Sequence, residues 1–340
     1  MKIVVLAGGL SPERDVSLAS GALISNALIA KGHDVMLLDL YLGTNNPDIE
    51  PVCINAGTGH RFSYTVPETE PDLEAIRARV PHQDTLIGEG VLALCREADA
   101  VFLALHGSIG ENGKLQAVLD VHGIRYTGTG YIGSLLAMDK DLSKRLMAAA
   151  HILTPAWQRF DLQANEMPAS VSYPCVVKPC SCGSSVGVTM AQNAEDLQNA
   201  LVLARKYEDT VIIEERIEGR EFSVGILAGR ALPVIEIEPV TGFYDYKNKY
   251  QKGLTEEICP AELSPEMREL LQSSALRIHE TLRLGFYSRV DFIVDKFGRA
   301  HCLEANTLPG MTPTSLLPQE ASAEGIPYEE LCEQIVLGAF

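Results

Sequence analysis

The sequence predicts a parallel α/β domain followed by an antiparallel α+β body. Three observations lead there: a strand–helix–strand unit at the start, a run of short strands separated by glycine turns in the second half, and a polar hairpin near the end. With 340 residues, 46% of them hydrophobic, the chain exceeds one ordinary domain and suits two or three.

Residues 2–7 run into the turn at Gly8-Gly9 and, apolar from Ile3 on, read as a buried strand. Residues 16–30 carry Ala19, Leu23, Ala27 and Ala30 at helical spacing, and residues 35–40 form a second apolar strand. Two strands joined through a helix make a βαβ unit, which requires parallel pairing. Residues 41–90, with Asn45-Asn46-Pro47, Gly57 to Gly59 and Pro81, read as a long surface excursion. Residues 100–105 are the next strand, followed by a loop over 106–113 and a helix over 114–121. One helix is expected over 131–149, with a domain boundary near its start.

The pattern then changes. Residues 173–178 and 186–190 read as strands around a glycine–serine loop. Asn193 is suited to cap a helix whose Leu197, Ala200, Leu201 and Ala204 share one face. Residues 211–217, 221–227 and 232–237 read as an antiparallel meander. Ser264-Pro265 opens a helix that aligns Met267, Leu271, Ala275, Ile278 and Leu282. Residues 288–294 and 300–306 form a hairpin around Asp295-Lys296-Phe297-Gly298. A parallel α/β front is therefore followed by an antiparallel α+β body.

Composition removes several functions. Lys and Arg total 28 against 45 Asp and Glu, a net charge of −17. Such a surface repels nucleic acid and anionic membrane, so any phosphate site must be a local cluster of bases. No apolar run approaches the roughly 20 residues of a membrane helix, and the first is too short for a signal peptide. The eight cysteines are scattered without zinc-ligand spacing, which suits reduced thiols in the cytoplasm.

Four segments could carry chemistry. Arg289 and Asp291 share one face of a strand because side chains alternate, and Glu304 and Asn306 share a face of its partner. Pairing 291 with 302 or 304 puts all four on one side. Two carboxylates and an amide beside a guanidinium suit Mg²⁺ or Mn²⁺ bound with phosphates. A solvated strand face with a salt bridge would also explain them. Lys178-Pro179-Cys180-Ser181-Cys182-Gly183-Ser184-Ser185-Val186-Gly187 offers small residues and a cation to a phosphate, or is simply a glycine–serine turn. It is not a P-loop, because it joins two strands. Residues 241–253, with three tyrosines, a phenylalanine and three lysines, read as a lid over an anion or as a surface loop. The turn after the first strand presents Glu13 to a small molecule or as a helix-capping acid. His106, Lys140, Glu214 and Glu221 are weaker candidates.

Together these strings resemble the D-alanine–D-alanine ligases of the ATP-grasp superfamily along nearly the whole chain. The supporting strings include Gly8-Gly9 to Ser17, Leu105-His106-Gly107 with Gly110-Glu111-Asn112-Gly113, and Met138-Asp139-Lys140. Further along come Lys178-Pro179, Gly183 to Gly187, Phe243 to Tyr246, Lys249-Tyr250, Arg289-Val290-Asp291 and Glu304 to Thr312. The resemblance implies an ATP-grasp fold behind an N-terminal α/β domain, in three domains over 1–133, 134–213 and 214–340, with ATP between the second and third. It implies two Mg²⁺ or Mn²⁺ ions on Asp291, Glu304 and Asn306, and phosphate contacts from Lys140, Lys178 and Lys249. Glu214 and Glu221 would sit near adenine and ribose. Glu13 would bind the ammonium of the first D-alanine, linked through Ser184 and Tyr250. His106 would join the substrate site, and Ser315 would seat the second carboxylate. Arg289 and the Gly310 backbone would stabilise the tetrahedral intermediate. A tyrosine at position 250 goes with dipeptide rather than D-lactate product.

The resemblance further implies dipeptide synthesis for peptidoglycan through an acyl phosphate, with D-alanine and ATP as partners and a homodimer as assembly. Two features depart from the family: Cys180-Ser181-Cys182 replaces more polar residues, and Asn112 stands where Asp is frequent. The thiols either pack under the loop or make the ATP site thiol-sensitive. Alternatives are a related ligase with D-serine or another acceptor, a silent nucleotide-binding protein, and a nicotinamide enzyme. The last lacks the glycine fingerprint.

Overall fold

The computed structural model describes residues 1–46, 53–54, 58–59, 61–67, 69, 71–81, 84–163, 170–183, 186–239 and 255–340. Three sheets organise them. In the first, β1 (Lys2–Ala7) pairs in parallel with β2 (Asp34–Asp39), after helix α1 (Arg14–Ala30). The short β3 (Cys53–Ile54) adds antiparallel to β2. After α2 (Leu73–Arg77) and α3 (Val91–Glu97) comes β4 (Ala100–Leu103), parallel to β1 on its other side. Helices α4 (Ser108–Glu111), α5 (Lys114–Val121), α6 (Tyr131–Met138) and α7 (Lys140–Ala149) follow.

The second sheet has the order β5-β8-β6-β7 and is antiparallel: β5 (Trp157–Asp161), β6 (Cys175–Pro179), β7 (Thr189–Ala191) and β8 (Thr210–Glu215), with α8 (Ala194–Ala204) on one face. The third is antiparallel in the order β12-β11-β9-β13-β14. It contains β9 (Gly219–Leu227), β10 (Arg230–Ala231) paired to β9, β11 (Ile235–Pro239), β12 (Thr255–Ile258), α9 (Pro265–Thr281) packed on it, β13 (Tyr287–Asp295) and β14 (Ala300–Asn306). Helices α10 (Leu316–Ala323) and α11 (Tyr328–Leu337) close the chain.

The parallel start, the Asn193 and Ser264 caps and the final hairpin follow the sequence expectation. Asn193 accepts from the N–H groups of Glu195 and Asp196, and Ser264 from Met267. The C-terminus returns to the first domain. Leu331, Ile335 and Val336 of α11 are wholly buried, and the helix packs against α1 and β4. Burying each stabilises by about 1.5–3 kcal/mol.

Four expectations need correction. The single helix over 131–149 is two helices. Asp139 is extended at φ −81° and ψ 105°, and its carboxylate accepts from Leu142 N, so it caps a new helix. The expected meander is split. Both edges of β8 are taken by β5 and β6, so β9 pairs instead with β11 and β13 in another sheet. The loop over 106–113 contains the turn α4. Residues 41–90 are partly folded onto α1 rather than being surface throughout. Tyr41, Leu42 and Ile76 form a buried cluster. Tyr64 Oη donates to Asp15 at 2.6 Å, and Asn26 holds the Phe62 backbone. Among the described residues no helix is long and apolar enough to cross a membrane.

Candidate active site

The hairpin register decides the site. Asp291 pairs with Glu304 and Arg289 with Asn306 before a bulge shifts the pairing at Phe292. Directly opposed residues on antiparallel strands project to the same face, so the quartet converges. Arg289 donates from Nε to Asp291 Oδ1 at 2.9 Å and from a terminal nitrogen to Oδ2 at 2.8 Å. Ser223 Oγ donates to Oδ1 at 2.7 Å and Asn306 Nδ2 to Oδ2 at 3.0 Å. Lys140 Nζ lies 3.8 Å from Glu304 Oε2. α7 starts at Lys140 because Asp139 caps it, which aims the ammonium at this hairpin and at the Cys182 carbonyl, 2.7 Å away.

Two cavities meet at Lys140 and Glu304. The larger, about 520 Å³, lies between the second and third sheets and is lined by Lys178, Glu214, Glu221 and Asp291. The split of β8 from β9 creates it, since Arg216, Ile217 and Glu218 cross between the sheets at its edge. The other, about 320 Å³, lies against α1 and is lined by Glu13, His106, Arg289, Asn306, Gly310 and Ser315. Every described candidate residue therefore lines one of two adjoining cavities. Ser184, Lys249, Tyr250 and the lid over 241–253 lie outside the described residues.

Local geometry fixes Glu13. Gly8 and Gly9 turn the chain at φ +70° and +80°. Ser17 Oγ, on α1, accepts from Gly8 N at 2.8 Å and donates to the Ala104 carbonyl at 2.7 Å, tying the ends of β1 and β4 to that helix. Gly107 adopts φ +64°, and a Cβ there would stand 2.8 Å from the Glu13 carboxylate. Only glycine permits both. His106 is buried, and burial pushes its imidazole below the ordinary value, with the Glu13 charge pulling the other way. Ser315 Oγ accepts from Thr312 N at 3.1 Å, close to Gly310.

Glu111 carries a role that the sequence reading missed. Its carboxylate accepts from Gly107 N in the same cavity as Glu13. Burial first, and the Glu13 charge second, raise its pKa to about 8. Its string was noticed, but nothing in its spacing marks the acid as buried. Neutral below pH 8, it leaves Glu13 the nearer anion. Above pH 8 the added charge opposes an incoming carboxylate. The value of kcat/KM for an amino-acid substrate is therefore expected to fall as pH rises past 8, since this parameter reports free-enzyme groups. Glu111→Gln removes that limb. The same limb in the variant would assign it elsewhere.

The donor set fits a hard divalent cation. Two carboxylates and an amide oxygen supply part of an oxygen shell, and phosphate oxygens would supply the rest. No group of three His, Cys, Asp or Glu side chains forms a protein-only metal cage among the described residues. Of the two thiols near the loop, Cys180 packs beneath it, while Cys182 is half-buried and lines the larger cavity. Cys180 is buried, its Sγ lies 3.3 Å from Asp139, and burial pushes its pKa up to about 12. Thiolate reactivity at neutral pH is thereby suppressed.

Known proteins resemble the chain over its full length. Residues 2–129 match the family model described as D-ala D-ala ligase N-terminus, and residues 147–337 the D-ala D-ala ligase C-terminus. A D-alanine–D-alanine ligase of Pediococcus pentosaceus is 45% identical, with 99% of this chain and 97% of that one covered. The ligase of Halalkalibacterium halodurans is 39% identical, with 99% and 98% covered. Among solved structures, the Bacillus anthracis D-alanine–D-alanine ligase complexed with ATP superposes with a TM-score of 0.77 at 27% identity, covering 100% and 97%. The VanG D-Ala:D-Ser ligase of Enterococcus faecalis gives 0.74 at 26% identity, covering 100% and 99%.

Proposed function

The chain belongs to the D-alanine–D-alanine ligase family, and from that membership we infer that it joins two D-alanines using ATP, for peptidoglycan precursor synthesis. The observation that carries the site assignment is the register pairing Asp291 with Glu304 where two cavities meet. In this reading the cavity between the sheets takes ATP, and the cavity against α1 takes the amino acids. Residues 1–133, 134–213 and 214–340 are its three domains, and the enzyme works in the cytoplasm as a homodimer.

A free carboxylate is a poor electrophile because its leaving oxygen is too basic. The donor D-alanine carboxylate attacks the γ-phosphorus of ATP, ADP leaves, and an acyl phosphate forms. The acceptor amine then attacks the acyl carbon and inorganic phosphate leaves. Glu13 holds the donor ammonium and orients its carboxylate toward Glu304 and Lys140, with Ser184 and Tyr250 completing that grip. Lys140, Lys178 and Lys249 bind phosphates, and Glu214 and Glu221 border the nucleoside. Arg289 and the Gly310 N–H stabilise the developing oxyanion, while His106 and Ser315 seat the substrates. Two Mg²⁺ or Mn²⁺ ions on Asp291, Glu304 and Asn306 would neutralise charge on the transferring phosphoryl group. The lid over 241–253 keeps water from the acyl phosphate.

Mass analysis after incubation with Mg-ATP and a mixture of D-alanine, D-serine and D-lactate tests the activity. D-alanyl-D-alanine with equimolar ADP and phosphate is the expected outcome. A mixed product with D-serine or D-lactate as the main species would overturn the acceptor assignment.

A further inference from the structure

Lys144 lies one turn beyond Lys140 on α7 and lines neither cavity. Its side chain is 1% exposed. Its Nζ stands 2.9 Å from Glu214 Oε2, donates to Thr154 Oγ1 at 2.7 Å and lies 5.5 Å from the centre of the Trp157 ring. The other carboxylate oxygen, Glu214 Oε1, pairs with Lys178. The result is a buried row of ammonium, carboxylate and ammonium. Only Lys178 and Glu214 reach the nucleotide cavity.

Within the row two ammoniums share one carboxylate, an arrangement that burial disfavours; Glu304 and Glu221 also attract Lys178 at the cavity, whereas Glu214 is the carboxylate that faces Lys144. Burial pushes Lys144 below its ordinary pKa, with Glu214 pulling the other way. At Glu214, burial alone would raise the carboxyl, but Lys178 and Lys144 outweigh it and hold it ionised. The excess cation needs a purpose. If Glu214 had Lys178 as its sole counterion, moving Lys178 to a phosphate would strand a buried carboxylate.

We propose that Lys144 is a positioning residue that keeps Glu214 paired, so that Lys178 can leave that carboxylate for a phosphate of ATP. The inference rests on the reading of Lys178 as a phosphate ligand. The surroundings suit the task. Thr154 Oγ1, the Pro155 carbonyl and the Trp157 ring hold Lys144 independently of Lys178. Trp157 is directly opposite Glu214 in the β5–β8 register, which fixes the indole beside the carboxylate. Lys144 can therefore stay while Lys178 moves.

The test uses the full-length enzyme with Lys144→Met. KM for ATP is expected to rise at least tenfold, with KM for D-alanine changed less than twofold. Calorimetric titration with a non-hydrolysable ATP analogue should show the same loss of affinity without turnover. Because Glu214 also borders the nucleoside, the double variant Lys144→Met with Glu214→Gln is compared with Glu214→Gln alone: in that background no carboxylate at position 214 retains Lys178, so adding Lys144→Met should change affinity for the analogue less than twofold. A merely structural lysine would cost the same affinity in either background. Thr154→Val, which loosens Lys144 without removing it, should raise KM for ATP two- to fivefold and covers the case in which Lys144→Met does not fold. Unchanged ATP affinity in Lys144→Met or in Thr154→Val, or the same loss from Lys144→Met in the Glu214→Gln background as in the parent, overturns the proposal. Lys178→Ala separates the premise: if that variant binds the analogue normally, the phosphate assignment of Lys178 fails instead.

Discussion

Replacing Arg289 with alanine is expected to lower kcat for dipeptide synthesis at least about a hundredfold, as removal of one donor to a developing oxyanion does. The fold should survive. Asp291 keeps Ser223 Oγ and Asn306 Nδ2 as donors, so its carboxylate stays hydrogen-bonded when Arg289 is lost, at a cost of roughly 1–3 kcal/mol of stability. Arg289→Lys provides the sharper comparison. It retains the positive charge but not the planar fork that spans both oxygens of Asp291. If charge alone matters, the lysine variant recovers most of the rate. If the fork is needed, it resembles alanine. Single-turnover formation of the dipeptide, with thermal unfolding measured alongside, separates catalysis from stability. An alanine variant within tenfold of the parent would remove Arg289 from the chemistry.

What was legible in the sequence divides by range. Alternation along a strand has a period of two, so residues 289, 291, 304 and 306 could be placed on one face before any coordinates. Their convergence needed only a hairpin, the most local of pairings, and Asp291 does oppose Glu304. Caps at Asn193 and Ser264 were legible for the same reason, since the capping side chain acts on a neighbouring turn. The break at Asp139 had the same local mechanism. It was hidden because good helix formers continue on both sides, and because Asp is also tolerated in a first turn. The separation of β8 from β9 was anticipated only as a domain boundary at 213/214, carried by the family resemblance and falling inside β8; the strand pairing itself was not legible. Which strand pairs with which depends on contacts far apart in the chain, and β9 lies between β11 and β13 because the edges of β8 are occupied. That non-local choice opens the cavity lined by Lys178 and Asp291. Glu111 and Lys144 escaped for a related reason. Each looks like an ordinary charged residue in its helix, and each gains its character from partners in other segments: Gly107 and Glu13 for one, Thr154, Trp157 and Glu214 for the other.

The second large effect is expected at Asp291. A carboxylate offers about four acceptor positions, and those of Asp291 receive two bonds from Arg289 and one each from Ser223 and Asn306. A divalent cation reaching this carboxylate must displace at least one of these donors. Arg289 is the natural one to leave, because phosphate offers it a second planar set of oxygens. Asp291→Asn removes the charge that would hold the metal while keeping nearly the same shape. The concentration of Mg²⁺ giving half-maximal rate should rise at least tenfold. The maximal rate should fall at least about a hundredfold, because charge stabilisation by a metal ion contributes several kcal/mol and about 1.4 kcal/mol is a factor of ten. The two substitutions should then differ in kind. Arg289→Ala removes a competitor for Asp291, so Mn²⁺ should bind its ligand-free form at least as tightly as it binds the parent. Asp291→Asn should weaken that binding. Titration of Mn²⁺ followed by electron paramagnetic resonance reads this directly, without turnover. If Asp291→Asn loses activity while its Mg²⁺ and Mn²⁺ dependence stays that of the parent, Asp291 serves only to anchor Arg289, and the metal assignment of the hairpin fails.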